Sequence, residues 1–194
     1  VNIAIEGPSG AGKTTLVSRL IASSDRFEII PEYNILAGGA KNFPPPPKNR
    51  TEALQSSKFF LKLELERQTF IKGVIERGKM AVQDRSLFTC IAFDYAKAST
   101  GGFDIWQETE RIFLEIGGLI LPKIIFFLDV SFSNATERVV RRNDDPKAKT
   151  LANPAFNEAF RDYFLTEVPK KVRVCRINAN ADPEQVESSV LSQF

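Results

Sequence analysis

Two rhythms divide the chain. Brief, nearly uninterrupted apolar runs recur at Val1–Ile5, Phe27–Ile30, Met80–Asp84, Ile124–Val130 and Val172–Ile177, as expected of strands covered on both faces. Between them, apolar residues return every third or fourth position, the spacing of helices with one buried side. That spacing predicts helices over Thr15–Ile21, Thr51–Gly78, Leu87–Lys97, Asp104–Glu115, Ser133–Arg142, Pro154 to about Glu167, and from Pro183 onward. Gly78, Ser99–Gly102, Gly117-Gly118 and Asn178–Asp182 punctuate them. Strand and helix alternate without a repeat or a composition break. The expected architecture is therefore a single α/β domain: three layers, a five-stranded parallel sheet with right-handed crossovers, and helices on both faces. Ligands in such sheets bind beyond the carboxyl ends of the strands.

Two stretches follow neither rhythm. From Tyr33 to about Arg50 the chain reads as an irregular loop, with Gly38-Gly39 and a stiff run Pro44–Pro47. A loop of that length is a substrate lid or a disordered segment, with a partner-binding proline motif or plain spacer as the alternative. Asn143–Asn153 reads as a second, charged loop. The helices 51–77 and 104–116 serve equally as core or as a homodimer interface.

Charge adds little: 26 basic against 24 acidic side chains in 194 residues give a net +2, which favours neither nucleic acid nor an anionic membrane as partner. No stretch approaches the roughly 20 apolar residues of a membrane span, and none resembles a signal peptide. The two cysteines, Cys90 and Cys175, lie in apolar segments without metal or redox spacing, so buried thiols in a reduced, cytoplasmic setting are expected. The absence of histidine matters more. Any general base here is expected to be a carboxylate.

The chemistry starts at Gly7-Pro8-Ser9-Gly10-Ala11-Gly12-Lys13-Thr14, a complete G-x-x-x-x-G-K-[ST] phosphate-binding loop between a strand and a helix. Its backbone N–H groups, with the helix start at Thr15, suit the phosphates of a nucleotide. Lys13 would reach the β- and γ-phosphates and the Thr14 hydroxyl would hold Mg2+. Further strand ends carry Glu32, the candidate base for an acceptor hydroxyl, and Asp84-Arg85, an acid for the metal centre beside a phosphate-binding arginine. Tyr33, Asn34, Phe59, Phe60 and Gln68 are candidates for the acceptor pocket, with an ordinary core role as the alternative for the phenylalanines. Arg138, Arg141 and Arg142 share a helix face and read as a closing lid that brings positive charge to the transferred phosphoryl group.

Taken together, Ile5-Glu6-Gly7 ahead of the loop, Asp84-Arg85-Ser86, Phe126–Val130 followed by the arginine helix, and Asn178–Glu184 resemble the deoxynucleoside kinase and thymidylate kinase group of P-loop kinases. The resemblance spans nearly the whole chain. It implies a P-loop NTPase fold, ATP and Mg2+ as cofactors, Asp84 at the metal and catalytic centre, Arg85 on phosphates and substrate, and residues 178–184 beside the adenine. Thymidylate kinases carry Arg-Glu-Pro after the second strand, where this chain has Pro31-Glu32-Tyr33-Asn34, and the lid has Asp144-Asp145 in place of closely repeated arginines. The resulting expectation is an ATP-dependent kinase phosphorylating a hydroxyl of a nucleoside or nucleoside-like metabolite. The alternatives are a nucleoside monophosphate kinase and, from another class, a regulatory nucleotide-binding protein.

Overall fold

The computed structural model describes residues 1–142, 151 and 153–194. Most of the loop expected over Asn143–Asn153, with Asp144 and Asp145, lies outside the described residues. The sheet holds five parallel strands in the order β2-β3-β1-β4-β5: β1 (Asn2–Glu6), β2 (Phe27–Ile30), β3 (Met80–Asp84), β4 (Ile124–Asp129) and β5 (Arg173–Asn178). Around it run α1 (Lys13–Ser23), α2 (Tyr33–Leu36), α3 (Arg50–Glu76), α4 (Leu87–Ser99), α5 (Trp106–Glu115), α6 (Phe132–Arg141), α7 (Pro154–Thr166) and α8 (Pro183–Leu191).

Alternation within the strands splits the core in two. Ile3, Ile5, Val82, Phe126 and Leu128 face one way, onto Leu16, Val17 and Leu20 of α1 and Val186 and Val190 of α8. Ala4, Ile125 and Phe127 face the other, onto Phe88 and Ile91 of α4 and Phe160 and Phe164 of α7. Ile30 and Ala81 continue that second face under Ile71 and Val74 of α3. The central strands β1 and β4 are apolar on both faces because both faces are covered. Phe113 of α5 is wholly buried, whereas α3 leaves Leu65 and Phe70 exposed. Among the described residues, no helix is long and apolar enough to cross a membrane.

The segment expected to be irregular from Tyr33 to Arg50 is more ordered than its sequence suggests. It contains α2 and a 3-10 turn at Ala40–Asn42, where the Asn42 amide donates to the Ala37 and Gly38 carbonyls. Phe43 then packs edge-on against Phe60, with ring centres 5.1 Å apart, and against Phe59. The proline run thus leaves from an aromatic anchor. Helix α3 begins one residue before the expected Thr51. Asn49 caps it by accepting from the Glu52 N–H at 2.9 Å, while the Glu52 carboxylate accepts from the Lys48 N–H, a reciprocal arrangement that satisfies otherwise orphaned donors.

Candidate active site

Strand register brings the polar strand ends together. Ile5 lies opposite Asp84, and Ile30 opposite Gln83, so the phosphate loop, Asp84-Arg85 and Glu32 follow three adjacent strands onto one edge of the sheet. The loop itself is built by close approach. Gly10 has φ of +79°, and a Cβ there would sit 2.3 Å from the Ala135 carbonyl oxygen, so only glycine lets the loop rest on α6. Lys13 is buried and its ammonium donates to the Pro8 carbonyl at 2.9 Å, folding the side chain back over the loop.

The Thr14 hydroxyl donates to the Asp84 carboxylate at 2.8 Å, which joins the two candidate metal residues in space across 70 positions of sequence. A hydroxyl and a buried carboxylate suit Mg2+, which keeps several waters and needs few protein ligands. Among the described residues no cluster of three or more His, Cys, Asp or Glu side chains is placed to hold a metal.

Arg85 takes φ of +70° and is the one non-glycine residue with positive φ among those described. Its Nη1 is buried and has no hydrogen-bond partner. The turn it makes is held by three groups from β1 and α3: its N–H donates to the Ile5 carbonyl at 3.1 Å, its carbonyl accepts from Arg67, and Glu6 grips the next residue, Ser86. Burial pushes the Glu6 carboxyl above the usual carboxylate range, against the pull of Arg85 and of hydrogen bonds from Thr89 and Ser86.

Arg67 is the residue that sequence reasoning overlooked. It is fully buried on α3 and donates to the Pro31 carbonyl at 3.0 Å, the Arg85 carbonyl at 2.7 Å and the Glu64 carboxylate at 2.9 Å. One side chain thereby ties the peptide before Glu32 to the turn after β3. Glu32 itself is half-buried and stands at the N-terminal boundary of α2, with no capping bond from its side chain to the helix.

The acceptor candidates separate. The buried Tyr33 donates its hydroxyl to Glu64 at 2.6 Å, under the Arg67 guanidinium, and burial together with Glu64 raises its pKa well above the tyrosine norm. Phe59 and Phe60 are half-buried in the ladder from Tyr33 to Phe43. Asn34 is exposed. Gln68 is engaged on two sides. Its amide donates to Glu64 at 2.6 Å and accepts from the Ile120 N–H at 2.7 Å, so it also ties α3 to the segment before β4. Burial and the Glu64 charge push the Cys90 thiol up.

On the other side of the loop lies a cleft of about 390 Å3, between Gly10–Gly12 and Thr15 on one wall and residues 179–183 on the other, with Arg138, Arg141 and Arg142 along its rim. Arg19 of α1 closes its outer end through ion pairs with Glu187 and Glu184 of α8. The 178–182 turn is fixed by Asn180, which accepts from the Ser131 N–H and the Asn134 amide. The dimensions suit a nucleoside moiety whose phosphates continue along the loop.

Next to this cleft Asp129 accepts from both Arg161 and Arg176. Burial alone would raise its pKa, but hydrogen bonds and charge from the two guanidinium groups outweigh that and hold it below the aspartate norm. The carboxylate therefore contributes stability that is fully present above the unfolded value of about 3.9 and is lost as pH falls through the lower folded value. Asp129→Asn is expected to flatten the acid limb of a Tm-against-pH curve in that window; an unchanged limb would deny the pair this role.

Comparison with known proteins agrees with this geometry. A family model described as thymidylate kinase matches residues 5–190. The thymidylate kinase of Mycoplasma capricolum subsp. capricolum is 27% identical over 199 residues, covering 95% of this chain and 89% of that protein. That of Mycoplasma genitalium is 25% identical over 198 residues, covering 98% and 92%. Among solved structures, deoxyadenosine kinase from M. mycoides with bound dATP superposes with a TM-score of 0.64 at 16% identity, covering 100% of this chain and 98% of that one. At that identity the likeness speaks for the fold.

Proposed function

The chain belongs to the thymidylate kinase family, and within that family of ATP-dependent phosphotransferases we propose that it transfers the γ-phosphoryl group to a hydroxyl of a nucleoside or close analogue. The observation that carries this reading is the carboxylate of Glu32 at the carboxyl edge of the sheet, one strand from Asp84-Arg85 and two from the phosphate loop, with its preceding peptide fixed by Arg67. Phosphoryl transfer asks the protein mainly for positioning and charge stabilisation. Lys13 and the loop amides hold the donor phosphates, Arg138 and Arg142 bring positive charge from the cleft rim, and Arg85 stabilises charge on the transferring group. Glu32 accepts the proton of the attacking hydroxyl, a role well suited to a carboxylate in a chain without histidine. Thr14 and Asp84 would hold Mg2+, which would supply charge neutralisation on the nucleotide phosphates.

A neutral acceptor fits the local charge. The arginine behind Glu32 is already engaged by Glu64 and two carbonyls, and Glu32 itself would repel an incoming phosphate. The second reading, a nucleoside monophosphate kinase, draws on the names of the relatives and on Arg85, whose unpartnered Nη1 suits an acceptor phosphate. Incubation with ATP and separate panels of nucleosides and monophosphates distinguishes them. New nucleoside monophosphates are expected from the first panel; diphosphates formed only from the second would overturn the preferred reading.

A further inference from the structure

Glu6 has no part in the transfer described above, yet it is the carboxylate most completely removed from water at the site's base. It ends β1, directly before the phosphate loop, and is wholly buried on the α4 side of the sheet. Its Oε1 accepts from the Ser86 N–H at 2.6 Å and the Ser86 hydroxyl at 2.7 Å, and its Oε2 accepts from the Thr89 hydroxyl. A buried carboxylate is costly unless its lone pairs are satisfied. Here every donor comes from the residues just after Arg85.

Arg85 needs such a clamp. A left-handed conformation is unfavourable for an arginine and persists only where the surroundings over-determine it. Its turn is fixed before by the Ile5 carbonyl, at its own carbonyl by Arg67, and after by Glu6 on Ser86. Ile5 and Glu6 are the last residues before Gly7, so the peptide that launches the phosphate loop also sets the backbone of Arg85.

The geometry points to Glu6 as a positioning residue: its grip on Ser86 and Thr89 holds Arg85 in the left-handed turn, so that donor loop and Arg85 keep one spacing. This rests on the reading of Arg85 as a charge-stabilising group. Glu6→Ala removes all three hydrogen bonds, whereas Glu6→Gln can still accept from Ser86 and can donate to the Thr89 oxygen.

The test is a double-mutant cycle on the intact chain, with kcat, KM for ATP and thermal stability measured for each variant. Glu6→Ala is expected to lower kcat by about 100-fold with KM for ATP within about threefold, and Glu6→Gln to recover most of that loss. In an Arg85→Ala background, Glu6→Ala should cost less than about threefold more, because the group it positions is gone. Should Glu6→Ala fail to fold, Thr89→Val and Ser86→Ala run through the same cycle, each with a loss of several-fold that vanishes beside Arg85→Ala. Losses that multiply in full would overturn the inference. Arg85→Ala working at the parent rate would instead remove Arg85 from the mechanism, a distinct failure.

Discussion

Glu32→Ala is expected to lower kcat by about 1000-fold while leaving the Kd for ATP within about threefold, as removal of a general base should. The asymmetry follows from the layout. In the proposed arrangement ATP would lie along the loop and in the cleft beyond it, lined by residues 10–12 and 179–183, whereas Glu32 stands across β3 from the loop. Glu32→Gln should be nearly as damaging, since it keeps the shape and cannot take a proton. A steady-state assay coupled to ADP release, with ATP binding measured by calorimetry, separates the two quantities. A variant with unchanged kcat would remove Glu32 from proton transfer, and one that loses ATP binding would give it a structural part.

The second large effect falls on stability. Arg67→Met strands the Glu64 carboxylate in a site that is 1% exposed and leaves two carbonyls without their donor. Breaking one side of a buried pair typically costs about 3–5 kcal/mol, which for a domain of this size lowers Tm by roughly 10 °C. Adding Glu64→Gln, which removes the stranded charge, should recover part of the loss. Because Arg67 binds the Pro31 and Arg85 carbonyls together, kcat should fall even at temperatures where the variant is folded. A Tm within about 2 °C of the parent would show that water or a shifted neighbour replaces the guanidinium.

These two residues mark the boundary of what the sequence discloses. Glu32 was visible because a strand end is readable from a short apolar run, and a lone carboxylate after Phe27–Ile30 stands out against it. The loop Gly7–Thr14 was visible for a stronger reason: its work is done by backbone, so its glycines leave a spacing that few other structures require. Arg67 was hidden. On α3 the buried side carries Ser57, Glu64 and Arg67 among Leu61, Ile71 and Val74, and in sequence those polar residues look like a solvated stripe. Only the fold shows that Glu64 and Arg67 neutralise each other.

The same limit explains Gln68 and Asp129. Gln68 reads as a pocket residue, and its bond from Ile120, 52 residues on, leaves no trace in the sequence. Asp129 reads as a strand terminus until Arg161 and Arg176 arrive from 32 and 47 residues away. The ordering of 33–50 was missed because a one-turn helix leaves no periodic trace and its anchor, Phe43, is a single aromatic beside prolines. Long-range pairing is set by topology, and the composition of the segment itself does not encode it.

A crystal structure of the protein with a non-hydrolysable ATP analogue, Mg2+ and a nucleoside would probe the transfer geometry directly. The expected result is an acceptor hydroxyl within about 3 Å of a Glu32 carboxylate oxygen and in line with the γ-phosphorus. A nucleoside hydroxyl held by another carboxylate, with Glu32 turned toward bulk solvent, would contradict the proposed mechanism.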